Sequence, residues 1–371
     1  KNLTMLVPFI DLYKQHKSIE SEINETIQNC IRNSAFIRSQ SIKNFEEEFS
    51  LLFDSGNCIS CANGTDALYI AMKGMNIREG DEVITTSLSW ISTSETITQA
   101  GGKVIFCDIN PKTYCIDENS LESLITPKTV GIIPVHLYGQ PCEMDTIKEI
   151  ATKYKLWIIE DCAQAHLAKY KNTFVGTFGN AATFSFYPSK NLGAIGDAGC
   201  ITTKNDTLAN WMRLYSQHGG KNIHEIEGIN SRMDGLQASI LLIKIKHLLE
   251  WTKLRKKIAD RYNQKLAGIG DIQLPALIKN TDHVYHLFTI RTNYRDKLKQ
   301  FLFSRGISTI INYPKPLPLL PCYSNFNLNE DSFRNAKDVC DSLLCLPLYP
   351  ELDLEIQDFI ISSIINFFKS P

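Results

Sequence analysis

The run Phe184-Ser185-Phe186-Tyr187-Pro188-Ser189-Lys190-Asn191, followed by Gly193, Gly196 and Gly199, sets a lysine between an aromatic lead-in and a glycine-rich exit. A lysine held there would be partly desolvated, which lowers its pKa and frees the neutral amine as a nucleophile. The alternative is an ordinary solvated loop lysine. Three other runs carry complementary chemistry. Asn63-Gly64-Thr65-Asp66-Ala67-Leu68 reads as a turn opening a helix, whose free N–H groups and dipole suit a phosphate. Thr and Asp are also ordinary N-caps. Trp157-Ile158-Ile159-Glu160-Asp161 is an apolar strand ending in two acids, and ligands of open α/β sheets collect at the carboxyl ends of strands. Both acids could instead cap the following helix. Ser89-Trp90 puts a flat ring at a strand-to-helix junction, where it either stacks on a ligand or fills the core.

Together these runs supply a phosphate cradle, a stacking face, a carboxylate and an amine. That set holds pyridoxal 5'-phosphate, with lysine at the aldehyde carbon, carboxylate at the pyridinium nitrogen and an aromatic ring over the face. No single run is specific, and their order along the chain is more so. A dinucleotide fingerprint is absent: no G-x-G-x-x-G follows a first strand, and glycines 193, 196 and 199 have the wrong spacing.

The elements that must position these groups are legible as pattern. Between residues 55 and 205, apolar runs at 83–85, 104–107, 131–135, 156–159, 182–186 and 200–202 alternate with helical stretches such as 91–100 and Met144–Tyr154. This predicts an α/β domain with a mostly parallel sheet flanked by helices. The continuous apolar character suits strands buried on both faces. A helix is expected over 13–31, and one long helix or two joined end to end over 236–266. Residues 270–371 read as a small α+β region, with a strand at 285–291 and a proline-rich loop at 313–321. At 371 residues the chain exceeds the ~150-residue domain prior, and we divide it into a large domain (1–250, including the N-terminal helical segment) and a small C-terminal domain (251–371).

Hydrophobic residues make up 43% and aromatics 10%, which places the chain outside the disordered range. Lys plus Arg total 39 against 40 for Asp plus Glu, so no chain-wide basic face for nucleic acid or membrane is expected. The 11 cysteines are scattered through apolar runs and read as reduced, buried thiols of a cytoplasmic protein. Cys58-x-x-Cys61 lacks a second ligand pair at zinc spacing, and no metal is expected. The opening Lys1-Asn2-Leu3-Thr4 carries no signal-peptide pattern, and the longest apolar stretch, 359–368, is too short to span a bilayer.

These runs belong to a longer ordered set: residues 7–12, 62–68, 80–84, 134–140, 159–166, 184–199 and 228–234. On them the sequence resembles the nucleotide-sugar aminotransferases of the DegT/DnrJ/EryC1/StrS family, from about residue 7 to 352. The resemblance implies a fold-type I, aspartate-aminotransferase-like architecture, normally a homodimer with shared active sites. It implies that Lys190 binds the cofactor and later shuttles a proton, that Asp161 pairs with the pyridinium nitrogen, and that Trp90 stacks on the ring. Gln164 would meet the phenolic oxygen or the ring. Backbone N–H groups of Gly64 and Thr65, with the Ser185 hydroxyl, would hold the phosphate. Asn230 would reach it from the partner subunit, and Arg232, Tyr187 and Tyr313 would be substrate contacts.

The implied reaction converts a keto group of a nucleotide-linked (deoxy)hexose to an amine, with glutamate as donor. The run 191–199 looks more like members acting at C3 than at C4. A C4 enzyme, another pyridoxal phosphate sugar enzyme and a non-catalytic cofactor-binding regulator are the alternatives. Abundant Asn, Ile and Lys fit a bacterial surface-polysaccharide enzyme, as in O-antigen synthesis. Two departures stand out: Leu167 where the family usually has Gly, and Pro318 where many members have His. Dehydratase relatives carry His at position 190, whereas this chain has the lysine.

Overall fold

The apolar runs between residues 55 and 205 pair into one seven-stranded sheet in the computed structural model, which describes residues 6–276 and 278–369. The opening residues 1–4, read above for a signal pattern, lie outside the described residues. In chain order the strands are β1 (Asn57–Cys61), β2 (Glu82–Thr86), β3 (Lys103–Cys107), β4 (Thr129–Ile133), β5 (Trp157–Asp161), the two-residue pair β6 (Lys169–Tyr170) and β7 (Thr173–Phe174), β8 (Ala181–Ser185) and β9 (Gly199–Thr203). The order across the large sheet is β1-β9-β8-β5-β4-β2-β3. Strands β3, β2, β4, β5 and β8 run parallel, and β9 lies antiparallel to both β8 and β1. The reversal has a local cause: the segment 186–198 between β8 and β9 carries no helix to make a crossover, so the chain turns straight back.

The helices of this region are α1 (Leu12–Ser18), α2 (Glu20–Arg32), α3 (Gln40–Phe53), α4 (Gly64–Gly74), α5 (Ser92–Gln99), α6 (Glu118–Leu121), α7 (Met144–Tyr154), α8 (Asp206–Tyr215), α9 (Gly235–Lys244) and α10 (Leu248–Leu266). They cover both faces of the sheet. On one face Phe45, Phe49 and Phe53 of α3 pack with Phe184, Phe186, Ile158 and Ile147; on the other, Leu68, Ile70 and Met72 of α4 pack with Val83, Ile133, Ile159 and Ile201. The helix expected over 13–31 is broken at Ile19, whose backbone (φ −124°, ψ 23°) leaves the helix while its side chain joins Ile240, Ile243 and Trp251. The stretch 236–266 forms two helices, one of the two forms expected.

Toward the C-terminus come β10 (Thr281–Asp282), which joins the β6–β7 ribbon, then β11 (Phe288–Arg291), α11 (Arg295–Ser304), α12 (Arg334–Ser342), β12 (Leu343–Leu346) and α13 (Leu354–Lys369). The strand expected at 285–291 is shorter, because Val284 and His286 donate their N–H groups to the 138–139 turn of the large sheet's unit. A separate core of Tyr262, Phe288, Ile290, Leu302, Leu344 and Ile360 also takes in Val7 from the other end of the chain, beside its bridge to Ile307. The proline-rich segment folds back over the large sheet, and Leu317, Tyr323 and Phe333 enter the α4-side core.

The cysteines are free, and each is buried except Cys322, which is exposed and corrects the expectation for that one residue. Cys322 sits in the short helical turn Pro321–Phe326, outside any apolar strand. Among the described residues, no helix is long and apolar enough to cross a membrane.

Candidate active site at the carboxyl ends of the strands

Strand β5 is buried on both faces, so successive side chains point to opposite sides. Ile158 enters the α3-side core and Ile159 the α4-side core, and the two acids inherit that alternation. Glu160 is fully buried and accepts from the N–H groups of Gly176, Phe178 and Gly179 at 2.7–2.8 Å. It also meets His136 Nε2 at 3.1 Å. Because the Cys142 N–H donates to His136 Nδ1, the imidazole proton sits on Nε2 and goes to Glu160. His136, Glu160 and Cys162 lie close enough to bind an ion, yet the imidazole and carboxylate atoms are already spent on these bonds. Glu160 is thus a bracket for the 176–179 turn.

Asp161 faces the other way. Its Oδ2 accepts from Thr93 Oγ1 at 2.8 Å and its Oδ1 from the Ala163 N–H at 3.1 Å. Burial raises its pKa, against the opposing pull of those two hydrogen bonds and of the Lys190 charge. Neither acid caps a helix, so the alternative reading of both as caps is set aside. Asp161 is a buried carboxylate with only two neutral donors, a setting that favours a further cationic donor.

Lys190 rises from the loop between β8 and β9. The loop is closed by Phe186 N–H to Ala198 O, Ala194 N–H to Phe186 O and Lys190 N–H to Tyr187 O, at 2.7–2.8 Å. The lysine is half-buried along its chain, and burial lowers its amine to a pKa of about 8, against the raising pull of Asp161. The solvated-lysine alternative does not fit that setting.

Above Asp161, helix α5 and the proline-rich segment supply the aromatic side. Trp90, 60% exposed, lies 6.1 Å from the Tyr313 ring between centroids. Thr93 follows Trp90 by three residues, so one helix start delivers both the ring and the Asp161 partner. Gln164 accepts from the Tyr138 N–H at 2.7 Å and donates to Tyr313 Oη at 3.0 Å. Tyr138 in turn donates to Asn312 O, and the Leu317 N–H reaches Ser87 O at 2.8 Å.

The phosphate side is the start of α4. Asn63 caps it, accepting from the Asp66 N–H. Gly64 lies directly against Ser185: a Cβ there would come within 2.7 Å of the Ser185 Cβ, so only glycine admits the approach. Thr65 Oγ1 meets Ser92 Oγ at 2.7 Å. Gly64, Thr65 and Ser185 therefore converge on one helix N-terminus, a ready anion site. Ser231 ties the 228–234 segment to it, donating to Asp66 and accepting from the Ala62 N–H.

Three of the expected residues are not drawn in. Asn230 and Tyr187 are exposed and Arg232 is half-buried. Among the described residues, none of their side chains bonds to Lys190, Asp161 or Gln164. Sequence reasoning assigned no part to Thr93, Asn191 or His286. Thr93 was findable, since its spacing from Trp90 is helical. Asn191 was not: its Oδ1 meets His286 Nδ1 at 3.1 Å and its Nδ2 donates to Val284 O, contacts across 95 and 93 residues of chain. Leu167 adopts φ +67°, the left-handed region where the family's usual glycine would sit without strain.

The donor set fits pyridoxal phosphate on the chemistry of its groups: an anion site, a depressed amine, a buried carboxylate and an exposed indole. Residues 17–365 match the model of the DegT/DnrJ/EryC1/StrS aminotransferase family. A Geobacillus stearothermophilus protein named pleiotropic regulatory protein is 40% identical over 98% of this chain and 99% of its own length. The Pseudomonas aeruginosa UDP-2-acetamido-2-deoxy-3-oxo-D-glucuronate aminotransferase is 37% identical over 97% of this chain and 100% of its own. The crystal structure of S. venezuelae DesV in complex with a ketimine intermediate has a TM-score of 0.97 at 35% identity, covering 99% of this chain and 100% of that one.

Proposed function

The chain belongs to the DegT/DnrJ/EryC1/StrS aminotransferase family, and on that footing we propose that it transfers an amino group from glutamate to the C3 keto group of a nucleotide-linked (deoxy)hexose. Pyridoxal 5'-phosphate is the cofactor; bound, its protonated ring takes up the electrons released when a C–H bond beside the amino group breaks.

The chain's own groups divide the work. Lys190 holds the cofactor's aldehyde carbon and, once released, carries the proton; an amine near pKa 8 is a competent base around neutral pH. Asp161 keeps the ring nitrogen protonated, with Thr93 fixing the carboxylate's orientation. Gln164 meets the phenolic oxygen and Trp90 covers the ring. The N–H groups of Gly64 and Thr65 and the Ser185 hydroxyl hold the phosphate. In a homodimer with shared sites, Asn230 of one copy reaches the phosphate bound by the other, a role that suits its exposure. Arg232, Tyr187 and Tyr313 contact the sugar. We place the enzyme in the cytoplasm, in bacterial polysaccharide synthesis such as that of O-antigen, and divide it into domains 1–250 and 251–371.

The observation that carries this reading is Lys190 itself, an amine depressed by burial at the loop between β8 and β9, with the charge of the buried Asp161 pulling the other way. The choice of C3 is supported by the 3-oxo substrate in the name of the Pseudomonas aeruginosa relative and by the run 191–199. The test is amino transfer from glutamate across a panel of 3-keto and 4-keto nucleotide sugars, with product regiochemistry read by NMR. A 3-amino product is expected, and a 4-amino product would move the assignment. The Geobacillus stearothermophilus relative's name favours a second reading, a cofactor-binding regulator. Such a protein would bind pyridoxal phosphate and turn over nothing in the panel.

A further inference from the structure

Lys244 closes α9 and is fully buried. Its two partners are a carbonyl and an imidazole rather than a carboxylate: Nζ donates to Gly193 O at 2.7 Å and meets His16 Nε2 at 2.8 Å. A charged ammonium has donors only, so His16 presents its lone pair there and carries its proton on Nδ1. Burying a cation with neutral partners costs several kcal/mol, so the group that retains it must be placed with care.

What it grips is the loop of Lys190. Gly193 has no room for a side chain, since a Cβ would come within 2.3 Å of Pro188 O. The carbonyl that Lys244 holds is therefore locked to the strand of loop leading into Lys190. From the same helix Gln237 Oε1 accepts from the Ile195 N–H at 3.0 Å. On its other side Lys244 reaches, through His16, to α1. That helix is fastened to the C-terminal unit by Lys14, which donates to Glu351 O at 2.9 Å and pairs with Asp353 at 2.6 Å. The loop's far flank is tied to the C-terminal unit as well, through Asn191 to Val284 and His286.

We propose that Lys244 is a positioning residue for Lys190: held between His16 and Gly193, its ammonium sets the lysine loop in register with the N-terminal helix and, through it, with the C-terminal unit. The placement of the reactive amine then depends on how that unit is docked. This rests on the reading of Lys190 as the cofactor-bearing lysine.

The test uses full-length wild type, Lys244→Met, His16→Leu and Lys190→Ala, each supplied with pyridoxal phosphate. It reads the pH titration of the visible cofactor band, kcat and KM for glutamate, and the thermal midpoint. A loop shifted by an ångström misplaces the amine, so Lys244→Met is expected to move the titration midpoint by about half a unit. Its kcat should fall roughly 10- to 100-fold, with KM for glutamate within about threefold. His16→Leu should move both in the same direction by less. If Lys244→Met keeps the wild-type titration and a kcat within about twofold while only its thermal midpoint falls, the lysine is structural and the proposal is overturned. Should Lys244→Met fail to fold, a folded His16→Leu with unchanged titration and kcat overturns it equally. Lys190→Ala separates the premise from the proposal: if that variant keeps the titrating band, the assignment of Lys190 has failed. If it loses the band while Lys244→Met leaves it unmoved, only the positioning role falls.

Discussion

Glu160 and Asp161 are neighbours in sequence and opposites in use. Glu160 spends its carboxylate on three N–H groups and an imidazole, whereas Asp161 has two neutral donors and feels the charge of Lys190. Glu160→Gln would turn an NH2 group toward N–H donors and is expected to destabilise the fold by about 2–4 kcal/mol, read by chemical denaturation. Asp161→Asn should leave the fold largely intact and reduce kcat by about 10²–10⁴-fold, read by steady-state turnover with glutamate. Lys190 makes a prediction about pH. Its folded pKa, about 8, lies below the usual 10.5. The unfolded chain therefore takes up the proton first as pH falls, and between those values stability rises with pH. In cofactor-free protein, Lys190→Met should unfold at a higher temperature than wild type at pH 7, and the gap should close as pH climbs from 8 toward 10.5. The chemistry of these residues was legible because residue type and order survive in one dimension. Residue pattern alone left open which acid faces the site, since that depends on which face of β5 meets Thr93, and only the family resemblance singled out Asp161.

At the scale of elements, the strands that read clearly are those with unbroken apolar runs. Strand β1 escaped because Asn57 and Ser60 interrupt Asn57-Cys58-Ile59-Ser60-Cys61, leaving neither an unbroken apolar run nor a clean period-2 alternation. Its Ser60 is satisfied from α3, with N–H and hydroxyl both donating to Glu46, which is itself bonded to Arg213. Helix α3 also carries the aromatic stack on that face: Phe49 lies 4.4 Å from Phe53 and 5.0 Å from Phe184 between ring centroids. Phe49→Ala is expected to cost roughly 3–5 kcal/mol in denaturant unfolding. Leu167 inverts a familiar ranking. Its left-handed backbone disfavours any Cβ by about 1–2 kcal/mol, while its buried side chain contributes about 1.5–3 kcal/mol. Leu167→Ala loses the burial and keeps the strain, whereas Leu167→Gly loses the burial and sheds the strain. The glycine variant should therefore be the more stable of the two, although glycine ordinarily ranks below alanine.

For the whole molecule, the architecture was the easiest thing to read and the site proposed to be shared between two copies the hardest. Asn230 and Arg232 lie in a recognisable segment, but the single chain brings neither to Lys190, because the proposed partner of Asn230 is a second copy. Mixing tests this directly. Lys190→Ala and Asn230→Ala subunits are each expected to be impaired alone, and hybrid dimers of the two should regain activity, since one of their two sites has both residues intact. No recovery on mixing would place Asn230 in its own chain's site.

The return of the proline-rich segment has a consequence for how the chain is made. Strand β3 is the free edge of the large sheet, and its Phe106 is covered by Tyr323 at 5.3 Å and Phe333 at 6.3 Å, ring to ring. Tyr323 also ties down to Ser94 through its hydroxyl at 2.8 Å. On the ribosome all seven strands emerge long before these two rings. Until they arrive, the Phe106 ring stands uncovered on an edge strand, adding an apolar face to a backbone edge of the kind that can pair with another chain. The large sheet's strands are complete by Thr203, and the aromatic face of this edge strand is covered only by the last third of the polypeptide.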